Sequence, residues 1–139
     1  MLITLRRQLS IPLENQPGRL ATVAAVIANQ GIDIEAISVL DTIEQAVVRL
    51  ITSDPVFCKE LLVQKGFYVI EAEVLSIEIP NTPGQLARVS EALADAQLNI
   101  DYAYGSSARQ GDKGRLILKV GNLEKAVLCL EQLKEREEA

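Results

Sequence analysis

Histidine is absent from this chain, and with it the commonest general base and the commonest metal ligand. Aromatic residues make up only 4%, too few for the stacking platforms on which RNA-binding sheets lay bases. The two cysteines, Cys58 and Cys129, are too few for a disulfide framework and form no Cys-x-x-Cys pair. No run approaches the roughly eighteen apolar residues of a membrane-spanning helix. A phosphate loop of Walker type is missing too. Basic residues are outnumbered 14 to 19, and a net charge of −5 with a pI near 4.8 argues against nucleic acid or an anionic membrane as partner. The first residues, Met1-Leu2-Ile3-Thr4-Leu5-Arg6-Arg7, place charges after the apolar residues, the reverse of a secretory signal. Carboxylates are plentiful, but none stands with a nucleophile in a catalytic set. The expectation is a cytoplasmic protein that is not an enzyme and carries no metal or cofactor.

What the chain does have is an internal repeat. Its 139 residues, 48% hydrophobic, suffice for one domain or two very small ones. Shifted by 66 positions, residues 9–62 lie over 75–128 without a gap, with 16 identities over 54 positions. Leu9-Ser10-Ile11 meets Leu75-Ser76-Ile77, and Asn15-x-Pro17-Gly18-x-Leu20 meets Asn81-x-Pro83-Gly84-x-Leu86. Later, Arg49-Leu50-Ile51 falls on Arg115-Leu116-Ile117, and Lys59 and Leu62 on Lys125 and Leu128.

Each copy reads alike. Residues 9–14 form a strand that runs into an Asn-x-Pro-Gly turn. Leu20, Val23, Ala24 and Ile27 recur at helical spacing, and Gly31 stops that helix. Residues 32–40 and 46–52, rich in Ile and Val, read as a hairpin. Asp54-Pro55 opens a second helix as N-cap and first-turn proline, Gly66 ends it, and residues 67–73 form a further strand. In the second copy the elements are strand 75–80, helix 84–96, strands 98–106 and 114–120, and helix 122–136. The order βαββαβ predicts an α+β fold of two ferredoxin-like modules, 1–73 and 74–139, each an antiparallel sheet with helices on one face. The second copy ends in a helix without a fourth strand. Residues 2–8 precede the first strand in the register of 68–74, so they are expected to supply that strand, within the chain or across a dimer.

The Asn-x-Pro-Gly motif is the sharpest chemical signal. A helix N-terminus behind a glycine turn presents free N–H groups and a partial positive charge to a carboxylate, and asparagine adds a donor and an acceptor. Turn formation and helix capping alone explain the same residue types. Arg49 and Arg115 can meet a carboxylate or simply face solvent. Tyr102 and Tyr104 share one strand face and can line a pocket or pack in a core. The polar segment Ser106–Gly114 reads as a hairpin loop or a cover over a site. Cys58 and Cys129 read as buried small hydrophobes, and residues 134–139 as a solvated helix end.

A strand ending in Asn-x-Pro-Gly-x-Leu, then a helix, then Gly31-Ile32-Asp33-Ile34 or Leu98-Asn99-Ile100, resembles the ACT domain. The chain is similar to stand-alone tandem ACT proteins, and the resemblance covers both copies. It implies allosteric regulation by a small amino acid or related metabolite bound at the interface between modules. The residues it implicates are Asn15, Pro17, Gly18, Arg19 and Leu20, with Asn81, Pro83, Gly84, Gln85 and Leu86; Asp33 and Asn99 would approach the ligand's amino group. Leu13 and Ile79 stand where some amino-acid-binding members place histidine. The alternative is a ligand-free interaction module or a regulatory small subunit docking on an amino-acid biosynthetic enzyme such as an acetolactate synthase, and pairing of the chain into a homodimer is expected. A mean hydropathy of +0.15 in so small a chain fits association.

Overall fold

Two strands are much longer than the repeat requires. In the computed structural model, which describes residues 1–106, 109 and 112–138, β1 runs unbroken over Leu2–Glu14 and β4 over Ile70–Pro80. The segments read separately as 2–8 and 9–14 therefore form one strand, because no Gly, Pro, Asn or Asp interrupts residues 2–11. β4 begins at Ile70 rather than at residue 67, since the Phe67 N–H is spent on the Leu62 carbonyl at the end of the preceding helix. The remaining elements are α1 (Arg19–Ala28), β2 (Ile34–Asp41), β3 (Gln45–Thr52), α2 (Pro55–Gln64), α3 (Gln85–Asp95), β5 (Ile100–Ser106), β6 (Lys113–Val120) and α4 (Leu123–Glu138). Of the polar hairpin segment, Ser107, Ala108, Gln110 and Gly111 lie outside the described residues. Among the described residues no helix is long and apolar enough to cross a membrane.

The chain divides into two compact units: Arg7–Ala72, and Met1–Arg6 together with the residues from Glu73 onward. The first has the strand order β2-β3-β1-β4, the second β1-β4-β6-β5. The β1–β3 and β2–β3 ladders of the first unit, and the β4–β6 and β5–β6 ladders of the second, are antiparallel. In the first unit Leu9, Ile11, Leu13, Val48 and Leu50 of the sheet meet Val23 and Ile27 of α1 and Cys58, Leu61 and Leu62 of α2. In the second, Leu75, Ile77, Ile79 and Leu118 meet Val89 and Leu93 of α3 and Ala126 and Leu130 of α4, and Met1 and Ile3 pack against this second core. The Thr4 hydroxyl also approaches the Ser76 carbonyl at 3.4 Å. The terminal charges of α4 do more than face solvent, because Glu137 holds Arg88 of α3 at 2.6 Å.

The ladders correct the gapless repeat. Leu9 pairs with Leu50, but its counterpart Leu75 pairs with Leu118, not Leu116. Val39 pairs with Val48, whereas Gly105 pairs with Leu116. Up to the hairpin the two copies are offset by 66; after it they are offset by 68, so the second hairpin is two residues longer. The helix caps agree. Asp54 accepts the Phe57 N–H, and Asn122, 68 positions on, accepts the Lys125 N–H. The matches at Arg49-Leu50-Ile51, Lys59 and Leu62 are thus out of structural register. Leu62 is fully buried while Leu128 is 60% exposed; the counterpart of Leu62 is the buried Leu130.

The same comparison isolates one strained residue. Gly31 closes α1 at φ 71, and the equivalent position after α3 is Gln97, at φ 61. A side chain in the left-handed region costs about 1 kcal/mol. Gln97→Gly is therefore expected to raise stability by up to about 1 kcal/mol, a gain of a few degrees in a melting curve, whereas Gly31→Ala lowers it by a similar amount. Deletion of residues 1–6 strips Met1 and Ile3 from the second core. The expected cost is about 2–4 kcal/mol from apolar burial, read in hydrogen exchange as loss of protection in residues 73–106 and 112–138 before 7–72.

Candidate functional site

Both Asn-x-Pro-Gly motifs build the same backbone. Gly18 and Gly84 stand at φ 87 and φ 92 immediately before α1 and α3, a conformation that glycine adopts without strain. Each helix begins without a side-chain cap. Glycine is the N-cap residue of both helices, and Asn15, whose side chain is spent on Asp41, is not the cap of α1.

The surroundings differ. In the first unit Asn15 Nδ2 donates to Asp41 Oδ1 at 3.2 Å and reaches the Ile43 carbonyl at 3.5 Å. Asp41 also accepts the Ile43 N–H at 2.8 Å, and Arg19 lies 3.3 Å from Glu14. This motif is tied to its own strand ends. In the second unit Pro80 replaces Glu14 and Gln85 replaces Arg19, so that ion pair is gone. Instead the Asn81 N–H donates to the Asp112 carbonyl at 2.6 Å, and Gln85 Nε2 donates to Thr82 Oγ1 at 2.8 Å. Among the described residues Gln85 Oε1 is buried without a hydrogen-bond partner.

Around this second motif lies a cleft of about 400 Å³, at the small end of the range that holds small molecules. Ile79, Leu86 and Leu116 give it apolar walls; Asn81, Thr82, Gly84 and Gln85 form one rim, and Gly105, Ser106 and Gly114 form the other. A cleft of about 410 Å³ in the first unit, between Leu13, Gln45, Lys65 and Phe67, borders its motif only through Arg19.

Asn81, Gly84, Gln85 and Leu86 are thus brought together on one cleft, while Pro83 sits exposed in the turn beside it. Asn15, Pro17, Gly18 and Leu20 lie at an exposed loop, with Arg19 half-buried. Asp33 and Asn99 stand at the far end of their strands from the motif of their own unit. Asp33 N–H donates to Ser53 Oγ at 2.9 Å, and Asn99 Nδ2 to Asp101 Oδ1 at 3.1 Å. Across eight residues of β2 that separation is about 26 Å. Arg115 borders the cleft, but its guanidinium lies 3.3 Å from Glu78 across the ladder. Tyr102 and Tyr104, both half-buried, alternate with Gly105 and so lie on the other face of β5. Cys58 is buried, and burial chiefly, with the nearby Asp54 charge adding, pushes its thiol up against a weaker opposing hydrogen bond from Thr52. Cys129 is half-buried, its Sγ 3.2 Å from the Ala92 carbonyl.

The sequence profile of the ACT domain pair matches residues 3–138. The chain belongs to the ACT domain family. A Bacteroides thetaiotaomicron protein of known crystal structure is 30% identical and superposes with a TM-score of 0.89, over 95% of this chain and 90% of that one. The regulatory subunit of aspartate kinase from Thermus thermophilus, in its ligand-free form, has the same fold at 17% identity and a TM-score of 0.66, covering 94% and 95% of the two chains. The Clostridium acetobutylicum aspartate kinase matches at 13% identity and a TM-score of 0.55, with 93% of this chain on 33% of the enzyme. No curated protein sequence matches. The two units are two ferredoxin-like ACT modules.

The glycines of the second ACT module are not singled out by the repeat pattern. Gly105 stands where the first module has Val39, a difference visible in the sequence; Gly114 stands where it has Ala46, which the two-residue offset conceals. A Cβ on Gly105 would lie 2.7 Å from the Arg115 carbonyl oxygen, so the β5–β6 approach requires glycine. Gly105→Ala is expected to cost about 1–3 kcal/mol in chemical denaturation through overpacking. Gly121→Ala, where a Cβ meets nothing, is expected to stay within about 0.5 kcal/mol.

Proposed function

We propose that the protein is a non-catalytic, cytoplasmic regulator that binds a free amino acid or closely related metabolite at an Asn-x-Pro-Gly loop. The observation that carries this is the cleft of about 400 Å³ on the second motif. Its lining joins apolar walls to the uncapped N-terminus of α3, whose N–H groups and dipole suit a carboxylate, while the buried Gln85 Oε1 and the Asn81 side chain offer acceptors for an ammonium. The ligand-free aspartate kinase regulatory subunit and this chain share a fold, which fits the reading without naming the ligand. Regulation follows by linkage: ligand stabilises whichever arrangement of the protein holds the cleft in its binding shape, by no more than its differential affinity.

One surface favours a second reading, docking on a metabolic enzyme of amino-acid synthesis. β2 is the edge strand of its module, and Ile37, Val39 and Leu40 are each about half exposed. Ile43, at the hairpin tip, is 87% exposed and held at φ 76, an unusual conformation for a β-branched residue. In the first reading this strip is covered by a second copy of the chain, in a homodimer.

The test is a thermal-shift panel of the twenty amino acids at millimolar concentration, on the wild type and on Asn81→Ala. A ligand at about a hundred times its dissociation constant adds about 2.7 kcal/mol, a shift of several degrees. One amino acid is expected to raise the melting temperature, and Asn81→Ala to abolish the rise. No rise with any of them, together with a large enzyme retained through purification, would replace this reading with the second.

A further inference from the structure

The two copies place different side chains around equivalent loops. Where β2 and β3 of the first module carry Val39, Leu40 and Ala46, β5 and β6 of the second carry Gly105, Ser106 and Gly114. Gly105 pairs with Leu116, and Gly114 with Ile79, so both lie on the helix-covered face beside the start of α3, where the cleft opens. At the equivalent points the first module carries a valine side chain, half exposed, and a methyl group. The first loop is also bridged by its own groups, Asn15 to Asp41 and Arg19 to Glu14, and in the second Pro80 and Gln85 stand in place of the Glu14–Arg19 pair. Both copies keep the loop; at the strand ends beside it one carries valine and alanine, the other two glycines.

We infer that the ACT pair is functionally asymmetric: it takes one free amino acid per chain, in the second module, and Gly105 and Gly114 set the size of the side chain that site accepts. This rests on the binding reading above and adds stoichiometry, location and specificity to it. Gly114 is the tunable position. Its missing Cβ would stand 3.1 Å from the Ser106 carbonyl oxygen and 3.9 Å from that of Ile79, so an added methyl occupies cleft space at a tight but adjustable contact. At Gly105 the clash is with backbone and cannot relax without moving β6.

The experiment is titration of the full-length protein with each of the twenty L-amino acids, followed by backbone-amide NMR and by calorimetry. Amide shifts are expected at Gly84–Leu86, Gly105 and Gly114 and not at Gly18–Leu20, with one equivalent bound per chain. Gly114→Ala is expected to weaken binding at least about tenfold, the discrimination one misplaced carbon provides, and to favour smaller amino acids over larger ones. If Gly114→Ala does not fold, Leu86→Phe, which enlarges a side chain on the cleft wall, carries the same expectation. Two equivalents per chain, or shifts centred on Gly18–Leu20, would overturn the asymmetry and leave amino-acid binding standing. Binding in the second module with affinity unchanged in the folded variant would overturn the sizing role alone. Silence at every amide with all twenty amino acids would overturn the binding reading, and the asymmetry with it.

Discussion

Strand β1 serves two cores. Met1 and Ile3 pack against the core of the second module, while Leu9, Ile11 and Leu13 belong to that of the first. All five are odd-numbered, so a single period-2 alternation has to run unbroken through the handover, and one slip of register would turn every one of them outward. Residues 69–80 obey the same rule, with Val69 in one core and Leu75, Ile77 and Ile79 in the other. At the odd positions between, the side chains are Leu5 and Arg7, and Glu71 and Glu73, all exposed. The second module thus depends on Met1–Arg6, a segment of chain remote from the rest of it, whereas the first is the continuous Arg7–Ala72. That dependence explains why β1 is long, why no Gly, Pro, Asn or Asp interrupts its residues 2–11, and why the second half of the sequence is not by itself a complete module.

Within that frame the copies have diverged where the frame is least demanding. The strands that build the cores match closely, whereas the second hairpin has grown by two residues and has exchanged Val39 and Ala46 for glycine. Hairpin ends tolerate such change, because insertion there leaves the ladder behind it intact and merely slides one strand along the sequence numbering. The consequence reaches the site directly, since the cleft is bounded by the strand ends that the change altered.

Much of the architecture is legible in the order of the amino acids. Periodicity and the paired Asn-x-Pro-Gly motifs suffice for element order, fold class and the loops of interest. Asp54-Pro55 announces the start of α2, and the side chain of Asp54 does accept the Phe57 N–H. The third-strand register is hidden because identical Arg-Leu-Ile triplets produce a match two residues away from the true one, and local identity cannot report which strand residue lies across a ladder. The cleft is hidden for a different reason. A glycine at a strand end reads as turn chemistry, and only the pairing of Gly105 with Leu116, and of Gly114 with Ile79, shows that the missing side chains border one space. The role of Asn15 is likewise invisible, because its partner Asp41 lies 26 positions away.

The shared strand also has a consequence in time. Residues 2–6 are made long before the strand they join: Thr4 and Ser76, in contact in the folded protein, are separated by 72 positions. At a ribosomal rate of about 5–20 residues per second that is a wait of roughly 4–15 s. Meanwhile residues 7–72 can emerge and collapse onto their own core, whereas an apolar leading segment has nothing to pair with. The nascent chain therefore carries an open strand edge throughout the synthesis of the first module, until the strand around Ser76 is made.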